Sequence, residues 1–331
     1  MTFIDLPGSR NWCAALALTL SLSAWGTAVQ AQAPYPQRPI TFVVPNAAGG
    51  AADNLARSFA EELGKQLGQP VVVENLGGAS GSLAAQKVLR AAPDGYTLLF
   101  GTTSDMVVAP IAIKSAGYAA KDFTPIAKVG STPMSLVARN NLGVTSAEQL
   151  VALAKQKPGG LTVGTTGNAS LQAFATVALQ RAAKIDLLGV PYKGGAPLMT
   201  DLLGGQIDLA VAVLPGVISQ VRGGKLTWIG LLADKRSPLA SDLPTVGETP
   251  AFKGVAVEIW AGIAGPAGLP PAVVERLSQA AKAVLEDARY VEQRAKSGDS
   301  SVPFAPPAEF GKFLLAEDAK YRELATGLKL E

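Results

Sequence analysis

Along most of this chain, short runs of branched and aromatic residues alternate with apolar positions spaced four apart, and the alternation predicts strands that feed helices. Ile40, Phe42, Val43 and Val44 form one such run, which Pro45 stops, and they read as a buried parallel strand. Gly49 and Gly50 follow. Leu55, Phe59 and Leu63 then recur on one helical face, predicting a helix over 52–67 that Gly68 and Pro70 end. Next come an expected strand over 71–74, a turn at Gly77, Gly78 and Gly81, a helix capped by Ser82, and a strand over 96–101. The unit is βαβαβ. Such units build a parallel sheet that takes its ligand at the carboxyl ends of the strands, which puts 45–53 and 102–105 on the binding edge.

Residues 126–129 and 134–138 read as extended, and the first passage between two lobes is expected there. Ser146, with Gln149 three residues on, predicts a capping box for a helix lined by Leu150, Leu153 and Ala154. Pro158, Gly159 and Gly160 end that helix. A strand over 161–163 then runs into a loop containing Thr165, Thr166, Asn168, Ala169 and Ser170, ahead of a helix carrying Leu171, Phe174 and Leu179. At a third junction Tyr192 is a candidate to face a cleft, whereas Lys193 reads as a solvated side chain. Helices over 199–203 and 217–221 and strands over 207–213 and 227–233 are expected next. A return passage over 255–264, with Trp260 at its middle, leads to long amphipathic helices over 271–288 and 307–324. The pattern predicts an α/β protein of two lobes, each a mostly parallel sheet flanked by helices, joined by two crossovers. Residues 32–129 and 255–331 would form the first lobe and 130–254 the second.

Both loops precede helices, where free N–H groups and the positive end of the helix dipole suit a carboxylate, sulfate or phosphate. The glycines around Gly78 lack the G-x-G-x-x-G spacing, and the chain contains neither a Gly-Lys-Ser/Thr triplet nor a G-x-S-x-G elbow. A nucleotide site and an esterase-type nucleophile are therefore not expected. The chain has no histidine and one cysteine, Cys13, which excludes a Ser–His–Asp triad, a Cys–His pair and the usual zinc ligand sets. No metal or cofactor is implied, and no histidine is present to titrate near neutrality. Asp53, Asp94, Asp105 and Asp208 fall in separate segments, so no carboxylate pair is placed for acid–base work.

With 331 residues, 48% of them hydrophobic and 17% charged, the chain can bury a large core. A net charge of +3 without a basic cluster among aromatics gives no support to nucleic-acid binding. Arg10, the apolar run 13–25 and the small residues after it read as a secretory signal cleaved after Ala31. Cys13 would leave with it, and the mature chain from Gln32 would be soluble, periplasmic and free of thiols.

The segments YPQRPITFVVP, LGQPVVVENLGG, RAAPDGYTLLFG, VPYKGGAP, TDLLGGQIDL, GKLTWIGLLADKRSP and LPTVGE run from Tyr35 almost to the C-terminus. Together they resemble the Bug-type solute-binding receptors of tripartite tricarboxylate transporters. The resemblance implies a two-lobed type II periplasmic binding protein fold that holds a small organic carboxylate between loops of the two lobes, partly through water. It implies delivery of that ligand to the transporter's membrane subunits, by a monomer that is not an enzyme. Carried onto this chain, it puts Asn46, Ala47, Ala48, Gly49, Gly50 and Asp53 in one clamp and Thr165, Thr166, Asn168, Ala169 and Ser170 in the other. Thr102, Thr103 and Ser104 would form a further wall.

Two departures fall in that site. Relatives often read P-F-x-P-G-G-x-x-D where this chain has Asn46, Ala47 and Ala48, and an acidic residue frequent in the family is missing near Ala212. A pocket bounded by Ala47, Ala48, Ala51, Ala52 and Ala212 would be roomier and more apolar, suiting an aromatic or branched acid. Two other functions stay open to this sequence: a secreted carboxylate-using enzyme on a similar fold, and a ligand sensor for a membrane signalling partner.

Overall fold

A computed structural model describes residues 2, 35–46, 48–49, 51–167, 170–192, 195–296 and 300–326. The expected signal segment and its cleavage point fall outside them, as do Ala47, Gly50, Asn168, Ala169 and Lys193. All the elements below belong to one unit running from Arg38 to Glu331.

β1 (Ile40–Val44) leads to α1 (Ala51–Leu67), and β2 (Val71–Asn75), α2 (Ser82–Leu89) and β3 (Thr97–Thr102) complete a βαβαβ unit. β1 lies between β2 and β3, parallel to both. Ile40, Phe42, Val43 and Val44 are buried on both faces of that sheet, and Leu55, Phe59 and Leu63 of α1 pack over it. The apolar spacing thus acts as the sequence predicts. Ser82 is the first residue of α2 instead of its cap, because Gly81 takes the capping position in the left-handed conformation, at φ 89°. A Cβ at residue 81 would lie 2.7 Å from Asp105 Cβ and 2.9 Å from Pro45 Cβ, so only glycine admits this close approach of three loops.

A π-helical turn (Ser104–Val108) and α3 (Ala109–Ala112) precede β4 (Phe123–Arg139), the longest strand. Then follow α4 (Ala147–Gln156), β5 (Thr162–Thr165), α5 (Leu171–Ala183), β6 (Leu188–Pro191), α6 (Gly195–Leu203), β7 (Leu209–Val213), α7 (Leu214–Arg222) and β8 (Leu226–Leu232). β9 (Glu258–Pro266), α8 (Pro271–Leu285), α9 (Ala288–Lys296), β10 (Ser300–Ser301) and α10 (Pro307–Ala325) close the chain.

The strand order is β2-β1-β3-β9-β4-β7-β5-β6, with β8 and β10 also pairing to β4. β4 therefore belongs to two sheets. Its first part, Phe123 through Pro133, runs antiparallel to β9, and its second part, Met134 through Arg139, runs antiparallel to β7 and β8. The chain returns beside the handover point: Met134 N–H donates to Val257 O at 3.0 Å and Val257 N–H to Leu232 O at 2.9 Å, just before β9 begins. The sequence suggests two short extended pieces around 126–138, since Pro125, Gly130 and Pro133 interrupt the pattern. The structure runs one strand through them because each proline sits where the ladder is already irregular. Pro125 borders a register shift, and Pro133 is the last residue paired to β9 before the partners change.

The last helix ties the two sheets together. Phe310 of α10 packs edge-on against Trp260 of β9, with centroids 5.8 Å apart, and the Trp260 indole donates to Glu317 Oε2 at 3.1 Å. One turn further on, Tyr321 meets Phe174 of α5 edge-on at 5.7 Å. Where the sequence suggests one helix over 271–288, the structure has α8 stopping at Leu285 and a separate α9, whose start Asp287 braces by accepting from the Arg289 and Tyr290 N–H groups.

Candidate ligand-binding site

Between the two sheets lies a cavity of about 390 Å³, within the usual range for small-molecule sites. Ala52 and Leu55 from the first turns of α1 and Thr102 at the end of β3 form one side, and Gly130, Ser131 and Thr132 of β4 form the floor with Ile259, Trp260 and Ala261 of β9. Val213, Pro215 and Gly216, where β7 turns into α7, close it from the second sheet, and Arg294 of α9 completes the lining. α7 has no side-chain cap and carries Pro215 in its first turn, so its leading N–H groups are available at the wall.

The loop after β1 is built by one carboxylate. Asp53, 1% exposed, accepts from the Gly49 N–H at 2.8 Å, Arg57 Nε at 3.0 Å and Asn75 Nδ2 at 2.9 Å. Asn75 Nδ2 also donates to the Asn46 carbonyl at 3.0 Å, and Gly49 turns at φ 83°. The Arg57 hydrogen bond, joined by that from Gly49, holds the Asp53 carboxyl down at about 2. Asp53 therefore shapes the loop with all its described partners drawn from the protein. Ala48 and Gly49 are exposed at its tip.

After β3 the hydroxyls are likewise committed. Asp105, also 1% exposed, accepts from the Thr102 N–H at 2.9 Å and from Thr102 Oγ1 at 2.7 Å, and burial pushes its carboxyl up to about 7. The absence of histidine thus does not remove titration near neutrality. Thr103, fully buried, donates to Glu258 O at 3.3 Å and accepts from the Trp260 N–H at 3.0 Å, stapling the loop to β9. The Ser104 N–H donates to Thr102 Oγ1 at 3.3 Å. Thr102 lines the cavity, whereas the Thr103 hydroxyl is used inside the fold.

The second loop is held by neutral groups. Ser170 caps α5, accepting from the Ala173 N–H at 3.3 Å and donating to Gly167 O at 2.7 Å. Thr166 Oγ1 donates to Gln172 Oε1 at 2.9 Å, and Thr165 is buried with its carbonyl accepting from Tyr192 N–H at 2.8 Å. Tyr192 turns its hydroxyl to Asp201 Oδ2 at 2.8 Å. Ala212 packs in the second sheet's core while its neighbour Val213 reaches the cavity, as strand alternation requires.

Of the site residues expected from sequence and described in the structure, the cavity wall includes Thr102; Asn46, Asp53, Thr103, Ser104, Thr165, Thr166, Ser170 and Tyr192 make local bonds. Most of the other lining residues, Ser131, Thr132, Pro215, Gly216 and Arg294 among them, were not placed in the site from sequence. Pro215 carried a usable signal, since proline in a first turn marks a helix start. Among the described residues no group of three or more acidic side chains is gathered as a metal ion would need.

Comparison with known proteins bears on the fold and the family. The family model described as "Tripartite tricarboxylate transporter family receptor" matches residues 55–324. A UPF0065 protein of Agrobacterium vitis is 35% identical over 305 residues, spanning 92% of this chain and 87% of the relative. The solved periplasmic binding protein BugD is 35% identical, covers 90% of this chain and 99% of its own, and superposes with a TM-score of 0.75. An R. palustris protein solved with adipate is 29% identical, covers 89% and 99%, and gives a TM-score of 0.78. The two sheets sharing β4 are thus the two halves of a type II periplasmic binding protein fold, and the chain belongs to the tripartite tricarboxylate transporter receptor family.

Proposed function

We infer that the protein is an extracytoplasmic receptor that holds a small organic carboxylate in the cavity between its sheets and delivers it to the membrane subunits of a tripartite tricarboxylate-type transporter. The observation that carries this reading is a cavity whose walls come from both sheets, so that one ligand touches both. The adipate held by the R. palustris relative supports a carboxylate as the class of ligand. In this reading residues 32–129 and 255–331 act as one lobe and 130–254 as the other, the monomer is the working unit, and a signal cleaved after Ala31 sends it to the periplasm. No helix among the described residues is long and apolar enough to cross a membrane.

The Thr166 hydroxyl is engaged by Gln172 and the Gly49 N–H by Asp53, so in this reading their loops approach the ligand through other backbone N–H groups. The test is a thermal-shift screen of the mature protein against mono-, di- and tricarboxylates, with product formation followed in parallel. A ligand at about 100 times its Kd adds about 2.7 kcal/mol to stability, which a melting curve resolves. Saturable stabilisation by at least one acid, with that acid recovered unchanged, is expected. Steady turnover would make the protein an enzyme, and a melting curve that no acid moves would remove the receptor reading.

A further inference from the structure

Resting on the receptor reading, we propose that Gly130 is a specificity-determining residue: the side chain it lacks leaves a recess in the cavity floor, and the carbon body of the ligand fills it. Gly130 is buried in the middle of β4, where glycine weakens a strand and needs a reason. Backbone shape does not supply one. Its φ lies outside the left-handed region, so the register shift beside it does not call for glycine. Close packing does not supply one either. A Cβ at residue 262 of β9 would lie 2.9 Å from Phe310 Cε1 and 3.1 Å from Ala127 O, and one at residue 101 of β3 would lie 2.6 Å from Asp105 Oδ1. A Cβ at residue 130 meets, apart from its chain neighbours, a single atom within 4 Å, Leu55 Cδ2 at 3.7 Å. A buried position with that much room opens on the cavity, which Gly130 and Leu55 both line.

The lining residues around that point are small as well. Ala261 pairs directly with Gly130 across the ladder, so the two share one face of the sheet, and Ala52 stands in the first turn of α1, ahead of Leu55. The recess is therefore bounded by methyl groups and backbone. An unbranched chain would leave that space unfilled and forfeit the contacts of its walls, whereas a ring or a branch gains by burial there. The selection concerns the breadth of the acid's body and makes no demand on where its carboxylate is held.

Calorimetry on the full mature chain tests this with two pairs of acids, hexanoate with phenylacetate and adipate with phenylsuccinate, each setting an unbranched body against a ring-bearing one. In at least one pair the wild type is expected to hold the ring-bearing acid no more weakly than its partner, and G130V should shift that ratio tenfold or more toward the unbranched acid. Melting without ligand tests the recess by itself: G130A should melt no lower than wild type, and G262A well below it. Should G130V fail to melt cooperatively, G130A decides by the same ratio, with a shift of threefold or more. A wild type that holds neither ring-bearing acid or prefers the unbranched acid in both pairs, a ratio unchanged in the variant, or a G130A that melts as low as G262A overturns the proposal and leaves the receptor reading standing. If a wider acid screen also finds no ligand, both fall.

Discussion

Asp53, in the first turn of α1 beyond the loop after β1, and Asp105, just beyond the end of β3, are each 1% exposed, yet their carboxyls are pushed in opposite directions. Asp53 has Arg57 one helical turn away, and the guanidinium with the Gly49 N–H holds it at about 2. Asp105 receives bonds from the neutral Thr102 N–H and hydroxyl, and burial lifts it to about 7. Depth and bonding together set the charge of a carboxyl here. At Asp53 the bonds from Arg57 on the same helix, Gly49 and Asn75 outweigh burial, whereas at Asp105 burial outweighs the bonds from Thr102. The first loop is accordingly braced by an ion and the second by hydrogen bonds to an acid poised near neutrality.

The largest effect should come from removing the ionic brace. Asp53→Ala leaves the Gly49 N–H without its acceptor and takes one of two acceptors from the Asn75 amide, and hydrogen bonds to a charged group contribute about 1.5–3 kcal/mol, so chemical denaturation at pH 7 should register a loss of about 3 kcal/mol. A loss below about 0.5 kcal/mol, the range of ordinary surface changes, would mean the loop holds without it. Thr103→Val tests the neutral side. It strands the Glu258 carbonyl and the Trp260 N–H in a buried place, at an expected cost of about 2 kcal/mol, and near-wild-type melting would show that β9 holds the loop unaided.

The two acids should also give opposite pH dependences. Asp53, depressed below the ordinary 3.8, contributes stability present above that value and lost as pH falls through about 2. Asp105, raised above 3.8, contributes stability that is full below 3.8 and is lost as pH rises through about 7. Denaturation midpoints from pH 5 to 8.5 should therefore decline in the wild type, and the decline should shrink in Asp105→Asn; equal slopes would remove Asp105 as its source. The smallest effect on stability is expected for Arg57→Gln, under about 1 kcal/mol, because that side chain is half-exposed and rehydrates. The same variant should still raise the Asp53 pKa measurably by carbon-13 NMR titration, and an unmoved pKa would assign the depression to the Gly49 and Asn75 bonds alone.

The scaffold was more legible in the sequence than the site. Branched runs and four-spaced apolar positions announced β1, α1, β5 and α5 because burial acts on every residue of those elements. Ser131 and Thr132 were hidden because Pro125, Gly130 and Pro133 break the local pattern of β4, and pairing to strands more than 70 residues away overrides it. Arg294 sits on a mostly polar helix where nothing local separates it from solvated arginines; only the packing buries it. The loop hydroxyls of Thr103, Thr166 and Ser170 have a composition that suits ligand capture, but backbone groups and Gln172 within the chain reach them first.

β9 lies between β3 and β4 in space but follows β4 in sequence by more than a hundred residues, and α10, later still, supplies Phe310 and Tyr321 to the buried core. A ribosome therefore makes the first sheet's missing middle strand after nearly everything else. Until then β3 and β4 have no common neighbour to pair with, and the emerging chain cannot close its first sheet however long synthesis pauses. A fragment stopping at residue 254 is expected to be degraded by protease across β1 to β3, whereas the full chain resists. In a chain ordered this way, the time at which it folds is written near its C-terminus.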